Sequence, residues 1–565
     1  MIKKATLLFT LVLSCNLLFP QAQHYDVKPA YSHNLTDEER QQMYELSVRA
    51  HQQTGTVPTA PVISIAEFQP MEAVLIAYPL GIPIWLVDTL SQITQVRVLC
   101  DNASRIDSAR SYFSQEGVNM SNVTFWNIEH ESYWTRDYGP WFILDGNDSV
   151  AVIDFTYNRP SRPNDDASLQ YIVNYMNIAK YDMPMVHTGG NYMSDGYGTA
   201  ASTQLLIEEN PTETEASLRK MAEDYLGVNP YLIVNDPMDD YINHIDCWAK
   251  FLAVDKVLVG MVPATDPRYA DYEAAASFFA NTLTPWGNRY KVYRVFTPSR
   301  DTIQTTPYTN SLILNDHVFV PQTGSEWDDD AIAVYEYAMP GYTIVPVMET
   351  DYAPWLNTDA LHCRTHEMAD RKMLYIKHFP LLDAQPSNES LQVSATIKPL
   401  SGEALINDSV QVFYRVNHTA WQSMPMTNAG GGQWEATLPI FQDMDTVEYY
   451  LRAKDESGKT ECHPYIGAAD PHRFVAKSGA DVETIAADYD SYLIYPNPAH
   501  DRFVIQGVGG SLLRVYNTAG QLIMSEEILT ATNVVECQSW INGIYYVVIS
   551  DHSGQQVCMK KVVKL

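Results

Sequence analysis

Between residues 70 and 380, short apolar runs of strand length alternate with stretches whose apolar residues recur every three to four positions. The runs predict strands at Ala73–Tyr78, Val96–Cys100, Val123–Trp126, Val150–Phe155, Lys256–Met261, Tyr290–Val295, Ser311–Val320, Tyr342–Val347 and Met373–Lys377. The longer-period stretches predict helices at Ile84–Ile93, Ser168–Ile178, Glu213–Tyr225, Asp271–Asn281 and Asp329–Ala338. Alternation of this kind predicts an α/β fold of about five strand–helix–strand units, wound as an open sheet or closed into a ring. Upstream, Thr36-Asp37-Glu38-Glu39 reads as a capping box opening a helix through about His51. Beyond the linker-like Asp383–Asn388 the period shortens to two, as in Val410-x-Val412-x-Tyr414-x-Val416. Turn clusters at Asn428–Gly432 and Asp455–Lys459 punctuate these strands, which predict a β-sandwich. A second linker, roughly Ala476–Asp490, precedes a last all-β module.

The first residues have a different character. Lys3 and Lys4 precede an apolar run from Ala5 to Phe19, a secretory-signal layout too short for a membrane span. No later stretch has the roughly 18 uninterrupted apolar residues of a spanning helix, so an exported chain with no membrane span is expected. The expected division is a signal at 1–23, an α/β domain at 24–383, a sandwich at 384–478 and a final module at 490–565. That suits 565 residues at about 100–200 per domain. The formal charge of -31 lies almost wholly in the middle, because residues 490–565 are near neutral. Such acidity argues against nucleic acid or an anionic membrane as partner, since phosphates require a basic footprint. Six cysteines outside the signal (Cys100, Cys247, Cys363, Cys462, Cys537 and Cys558) would allow three disulfides, yet are too sparse for a disulfide scaffold.

Five stretches set reactive side chains beside Gly, Trp or Asn at strand ends: Trp134–Tyr138, Thr188–Asn191, Asn243–Cys247, Tyr308–Ser311 and Thr358–Arg364. Singly, each has a plain structural reading, the cysteine as a small core residue and Arg-Asp as a surface ion pair. His362, Cys363 and His366, or His244, Asp246 and Cys247, could be weighed as metal ligands, but neither cluster has a zinc spacing and no metal is expected. Asn164-Asp165-Asp166 and Asp328-Asp329-Asp330 match no calcium loop and read as solvated acids.

Taken together and in order, Trp-Thr-Arg-Asp, Gly-Gly-Asn, Asn-His-Ile-Asp and Asp-Ala-Leu-His-Cys resemble the bacterial, Porphyromonas-type peptidylarginine deiminases, with agmatine deiminases as more distant relatives. The resemblance spans roughly residues 60–380 and continues into the sandwich. It implies a five-fold pseudosymmetric α/β propeller of ββαβ units, followed by an immunoglobulin-like sandwich and a small all-β C-terminal domain. By motif match Cys363 is the implied nucleophile, His244 the general acid/base, Asp137 and Asp246 the guanidinium carboxylates, and Asn310 a further site residue. Trp134, Tyr241, Ile242 and Thr358 are the implied pocket walls. In Tyr157-Asn158-Arg159-Pro160-Ser161-Arg162-Pro163 the family reads Arg-Pro-Arg, a clamp for the carboxylate of a C-terminal arginine. Arg159 matches directly, and Arg162 only across an extra residue, Ser161.

The implied chemistry is physically coherent. A guanidinium is planar and permanently charged, with five N–H donors that two carboxylates can grip. Cys is the side chain best suited to attack its poorly electrophilic carbon, and His can protonate departing ammonia and then activate water. No cofactor is needed. The expected function is secreted deimination of C-terminal arginine in peptides and proteins; agmatine or free arginine as substrate, and an adhesin using the sandwich, stay as alternatives. Finally, Tyr495-Pro496-Asn497-Pro498, Gly543-Ile544-Tyr545-Tyr546 and the basic Lys560–Lys564 end resemble a type IX secretion sorting domain, which implies the type IX machinery as a partner and release or attachment at the outer-membrane surface.

Overall fold

A computed structural model describes residues 33–53, 55–238, 242–299 and 305–478, and in the last module residues 493–495, 497, 499–506, 511–517, 522–528, 532–550 and 556–564. The expected signal and Tyr241 lie outside the described residues. Expected elements recur closely: Ile84–Ile93 and Lys256–Met261 match to the residue, and the capping box forms both of its arms at the start of helix α1, Asp37–His51. Helix α2, Pro163–Met176, begins five residues before its expected start, because proline suits the first turn and Asp165 and Asp166 complement the dipole there. One expected strand, Ser311–Val320, is instead a hairpin. Asn315 takes a left-handed turn (φ 54°) between Leu312–Leu314 and His317–Gln322.

Among the described residues the α/β region holds five separate sheets of three or four strands. Each contains an antiparallel pair and a further parallel strand reached through helix, as in Lys256–Met261 pairing antiparallel with Ala249–Ala253 and parallel with Lys291–Phe296. The region closes on itself. His366–Ala369, the last of its described strands, pairs antiparallel with Met71–Ala77, the second strand among the described residues, so its start and end share one sheet. Buried apolar residues of strands and helices form the cores that hold these sheets, including Leu75, Val98, Leu86 and Phe113 in one and Val257, Phe279 and Tyr335 in another.

Two sheets follow, one of four strands and one of six, around a core that includes Val393, Trp434, Val447 and Tyr449. Leu374–His378, which precedes the expected boundary at 383, pairs with Leu391–Pro399 and belongs to the first of them. The described part of the last module is all β, and the Asn497 side chain of its Tyr-Pro-Asn-Pro stretch donates to Lys561 O and accepts from Val563 N. Cys100, Cys247, Cys363, Cys462 and Cys537 are free thiols, so none of the allowed disulfides involves them. No described helix is long and apolar enough to cross a membrane.

Candidate active site

The five motifs converge because each follows the parallel strand of one sheet. Val123–Asn127 leads to Trp134–Tyr138, Lys180–His187 to Gly189–Asn191, and Tyr231–Val234 to Ile242–Cys247. Lys291–Phe296 leads to Tyr308–Ser311, and Thr343–Met348 to Thr358–Arg364. Ligand sites of α/β folds gather at the carboxyl ends of such strands.

Asp137, His244, Asp246, Asn310 and Cys363 are all buried and mutually close. His244 Nδ1 lies 3.7 Å from Asp137 Oδ1, and Cys363 Sγ lies 3.6 Å from Asp246 Oδ2. Asn310 Nδ2 stands 3.2 Å from both Asp246 Oδ2 and Cys363 Sγ, while its Oδ1 accepts from the amides of Ala360 and Cys363. One asparagine thus fixes both the thiol-bearing loop and a carboxylate. Gly190 lets these groups face each other. A Cβ there would sit 2.5 Å from His244 Nδ1, 2.9 Å from Asp137 Oδ1 and 3.3 Å from Asp246 Oδ2. Asn191 Oδ1 accepts from Ile245 N and Thr203 N, which holds the His244–Asp246 turn in place.

Burial shapes the protonation of this cluster. It drives the Cys363 thiol well above its usual range, and the negative Asp246 and Asp359 add to that. It pushes His244 down to about 4 even though Asp137 and Asp246 pull the other way. Both carboxyls stay low against the same burial, Asp137 through His244 and His33 and Asp246 through His362. Asp137 Oδ1 and both ring nitrogens of His244 are buried without a hydrogen-bond partner among the described residues. Such atoms favour a ligand rich in donors.

Of the implied pocket walls that are described, Trp134, Ile242 and Thr358 are all buried. Arg159 and Arg162 are each 1% exposed. The extra Ser161 is absorbed by a turn in which Arg162 N donates to Arg159 O at 2.9 Å, with Pro160 setting the turn. The two arginines differ in environment. Arg162 packs over the Trp134 ring at 4.7 Å, and Arg159 Nη2 donates to His33 O at 2.7 Å.

Several participants have no individual sequence signal. Asp359 receives Arg364 bidentately, at 2.9 and 3.0 Å, and accepts from Trp134 Nε1, so it orients that ring. His362, considered above as a metal ligand, bridges Asp246 and Glu67 at 2.6 Å on each side. Arg136 pairs with Glu367 and Glu67, and His366 sits in a strand with Nε2 2.7 Å from Pro140 O. His33, Asp137 and His244 bring three ligand-type atoms together, as do Glu67, His362 and Glu367. Asp359 stands inside a noticed motif; Glu67 and His33 lie far from theirs in sequence, and only folding joins them.

The model of the Porphyromonas-type peptidyl-arginine deiminase family matches residues 64–368, more than half of the chain, and that of the secretion system C-terminal sorting domain matches residues 493–564. A Yersinia pseudotuberculosis protein named "Putative agmatine deiminase" is 24% identical over 345 residues, covering 54% of this chain and 94% of its own length. A Shewanella baltica protein of the same name is 25% identical over 291 residues, 45% of this chain and 78% of the relative. An X-ray structure also named as a "putative agmatine deiminase" shares the fold at a TM-score of 0.51, with 19% identity over 56% of this chain and 98% of the other. The chain belongs to the Porphyromonas-type peptidyl-arginine deiminase family, whose members and agmatine-deiminase relatives are hydrolases of guanidino C–N bonds. It ends in a type IX secretion sorting domain, the mark of a secreted or surface-attached protein.

Proposed function

We propose that the protein is a secreted peptidylarginine deiminase that converts a C-terminal arginine, and free arginine, to citrulline and ammonia. The observation that carries this reading is the facing of Asp137, His244 and Asp246 across Gly190, with Cys363 Sγ 3.6 Å from Asp246 and two buried arginines on the neighbouring turn. The guanidinium sits between Asp137 and Asp246, which hold its carbon against Cys363 Sγ. Its positive charge opposes the carboxylate field that keeps the thiol protonated, so substrate itself favours the thiolate. As the sulfur attacks the guanidinium carbon and forms a C–S bond, the thiol proton passes to His244. His244 then protonates the departing nitrogen, the C–N bond breaks and ammonia leaves, giving a thiouronium on Cys363. A water deprotonated by His244 attacks the same carbon, the C–S bond breaks with its electrons returning to sulfur, and a ureido group remains.

Arg159 and Arg162 fit a substrate carboxylate through charge-assisted pairing. The same positive pair disfavours agmatine, which carries no carboxylate. Here the five sheets are the blades of an α/β propeller, the two sheets that follow, from Leu374–His378 to residue 478, form an immunoglobulin-like sandwich, and residues 490–565 carry the chain to the type IX machinery.

The test is turnover of a blocked dipeptide ending in arginine, its C-terminal amide and agmatine, with citrulline and ammonia measured. The free-acid dipeptide should be converted with a kcat/KM at least 100-fold above the amide and agmatine. Preference for agmatine would overturn the clamp, and turnover by Cys363→Ala would overturn the nucleophile.

A further inference from the structure

One stretch of chain lies inside the site with no part in the reaction just described. His33 is 4% exposed, although it precedes a surface helix. Its imidazole stacks on Trp134, with centroids 4.4 Å apart and planes 4° from parallel, and stands edge-on to His244 at 5.9 Å. His33 Nε2 reaches Asp137 Oδ2 at 2.9 Å and Nδ1 lies 3.8 Å from Asp359 Oδ2. A flat ring with an N–H aimed at a carboxylate presents what a guanidinium would present there. The backbone repeats the likeness, because His33 O takes the Arg159 Nη2 hydrogen bond at 2.7 Å.

The chain then runs through the Thr36 N-cap into α1 and places a carboxylate above the same turn. Glu39 Oε1 accepts from Ser161 Oγ at 2.5 Å. Its carboxyl is held below the ordinary value: burial opposes this, and the hydrogen bonds of Ser161 and Thr36 with the charges of Arg159 and Arg162 outweigh it. The extra residue in the arginine turn therefore has an intramolecular partner. Below it, Met43, Leu46 and Ala50 of α1 pack with Val186, and Ser47 Oγ hydrogen-bonds Thr212 Oγ1 at 2.7 Å, which anchors the segment against the α/β domain.

We propose that residues 33–39 are an intramolecular pseudosubstrate: His33 fills the arginine side-chain site, the His33 carbonyl takes the place of substrate carboxylate on Arg159, and Glu39 latches onto Ser161. The chain that carries this segment in place is self-blocked, and cutting or displacing it opens the site. Tethering supports such occupancy, because a ligand on a short linker acts at an effective millimolar concentration and needs little affinity of its own. The occupant's role is independent of the leaving chemistry, but naming what it displaces rests on the arginine reading above.

The test uses the full chain as wild type, His33→Ala and Glu39→Ala, with two readouts. The first is the rate at which iodoacetamide alkylates Cys363, followed by mass spectrometry of its peptide. The second is steady-state turnover of the arginine-ended dipeptide. A tethered competitor raises apparent KM and leaves kcat alone, so His33→Ala should lower KM at least tenfold at constant kcat and speed alkylation by a similar factor. Glu39→Ala should act in the same direction by about threefold, and a synthetic peptide of residues 31–42 should slow alkylation of the His33→Ala chain again. Equal alkylation rates and KM values in wild type and His33→Ala would overturn the proposal, as would a fall in kcat, which would make His33 part of the chemistry. Faster alkylation without citrulline from any variant would uphold the blocking segment and overturn the arginine reading instead.

Discussion

Gly190 shows how a missing side chain can organise a site. A methyl group there would displace His244, Asp137 or Asp246. Gly190→Ala should lower kcat/KM on the arginine-ended dipeptide about 100-fold, since misplacement by about 1 Å costs that much. The accompanying overpacking should cost roughly 1–3 kcal/mol in urea unfolding. His362 acts at one remove, by holding Asp246 from behind while Glu67 holds its other nitrogen. Burial raises the Asp246 carboxyl and the hydrogen bond and charge of His362 more than reverse it. His362→Gln should therefore raise the Asp246 value and move the acidic limb of the kcat/KM profile to higher pH, because the carboxylate works ionised. A profile that falls in height without moving would show that His362 only packs. At this scale Asp137, His244, Asp246 and Cys363 were legible because short motifs carry them. Glu67 and His33 were not, since nothing local ties residue 67 to 362 or residue 33 to 137.

Helix α1 is the element the sequence marked best. Thr36 N donates to Glu39 Oε2 at 2.9 Å and Glu39 N to Thr36 Oγ1 at 3.2 Å, the two arms of the box. Thr36→Ala should cost about 1 kcal/mol. Hydrogen exchange of the amides of residues 37–40 should then quicken roughly fivefold, with exchange in Lys256–Met261 unchanged. What the box did not reveal is that Glu39 serves a second partner, Ser161. The Ser311–Val320 hairpin was missed for a related reason. Its apolar residues continue on both sides of Asn315-Asp316, so periodicity alone runs through the turn. The turn is fixed from outside, by Asn315 side-chain bonds to both backbone polar groups of Met71.

Over the whole molecule, the α/β domain meets the sandwich at a group of buried histidines. His378 Nδ1 lies 2.6 Å from Ser394 O and Nε2 lies 2.9 Å from Tyr449 Oη, while His463 Nδ1 lies 2.9 Å from His472 Nε2 and its Nε2 bonds Tyr197 of the α/β domain. Burial pushes His378 from 6.5 down to about 4, against the pull of Ser394 O. Between these values the unfolded chain binds a proton that the folded chain does not, so His378 loses stability for the fold as pH falls through that window. The slope is about 1.4 kcal/mol per pH unit. In urea unfolding from pH 6.5 to 4.5, His378→Gln should flatten the pH dependence by that amount; parallel slopes would show that His378 is protonated in the fold. The sequence by itself determined the α/β alternation, the change to short-period strands near residue 383, the five motifs and the sorting module, because periodicity and motifs are local properties of the chain. Only the tertiary structure decided that His366–Ala369 closes onto Met71–Ala77, that Asn310 and Gly190 set the distances among the reactive groups, and that His33 enters the site. Those depend on contacts between residues far apart in the chain, which packing creates and no local pattern records.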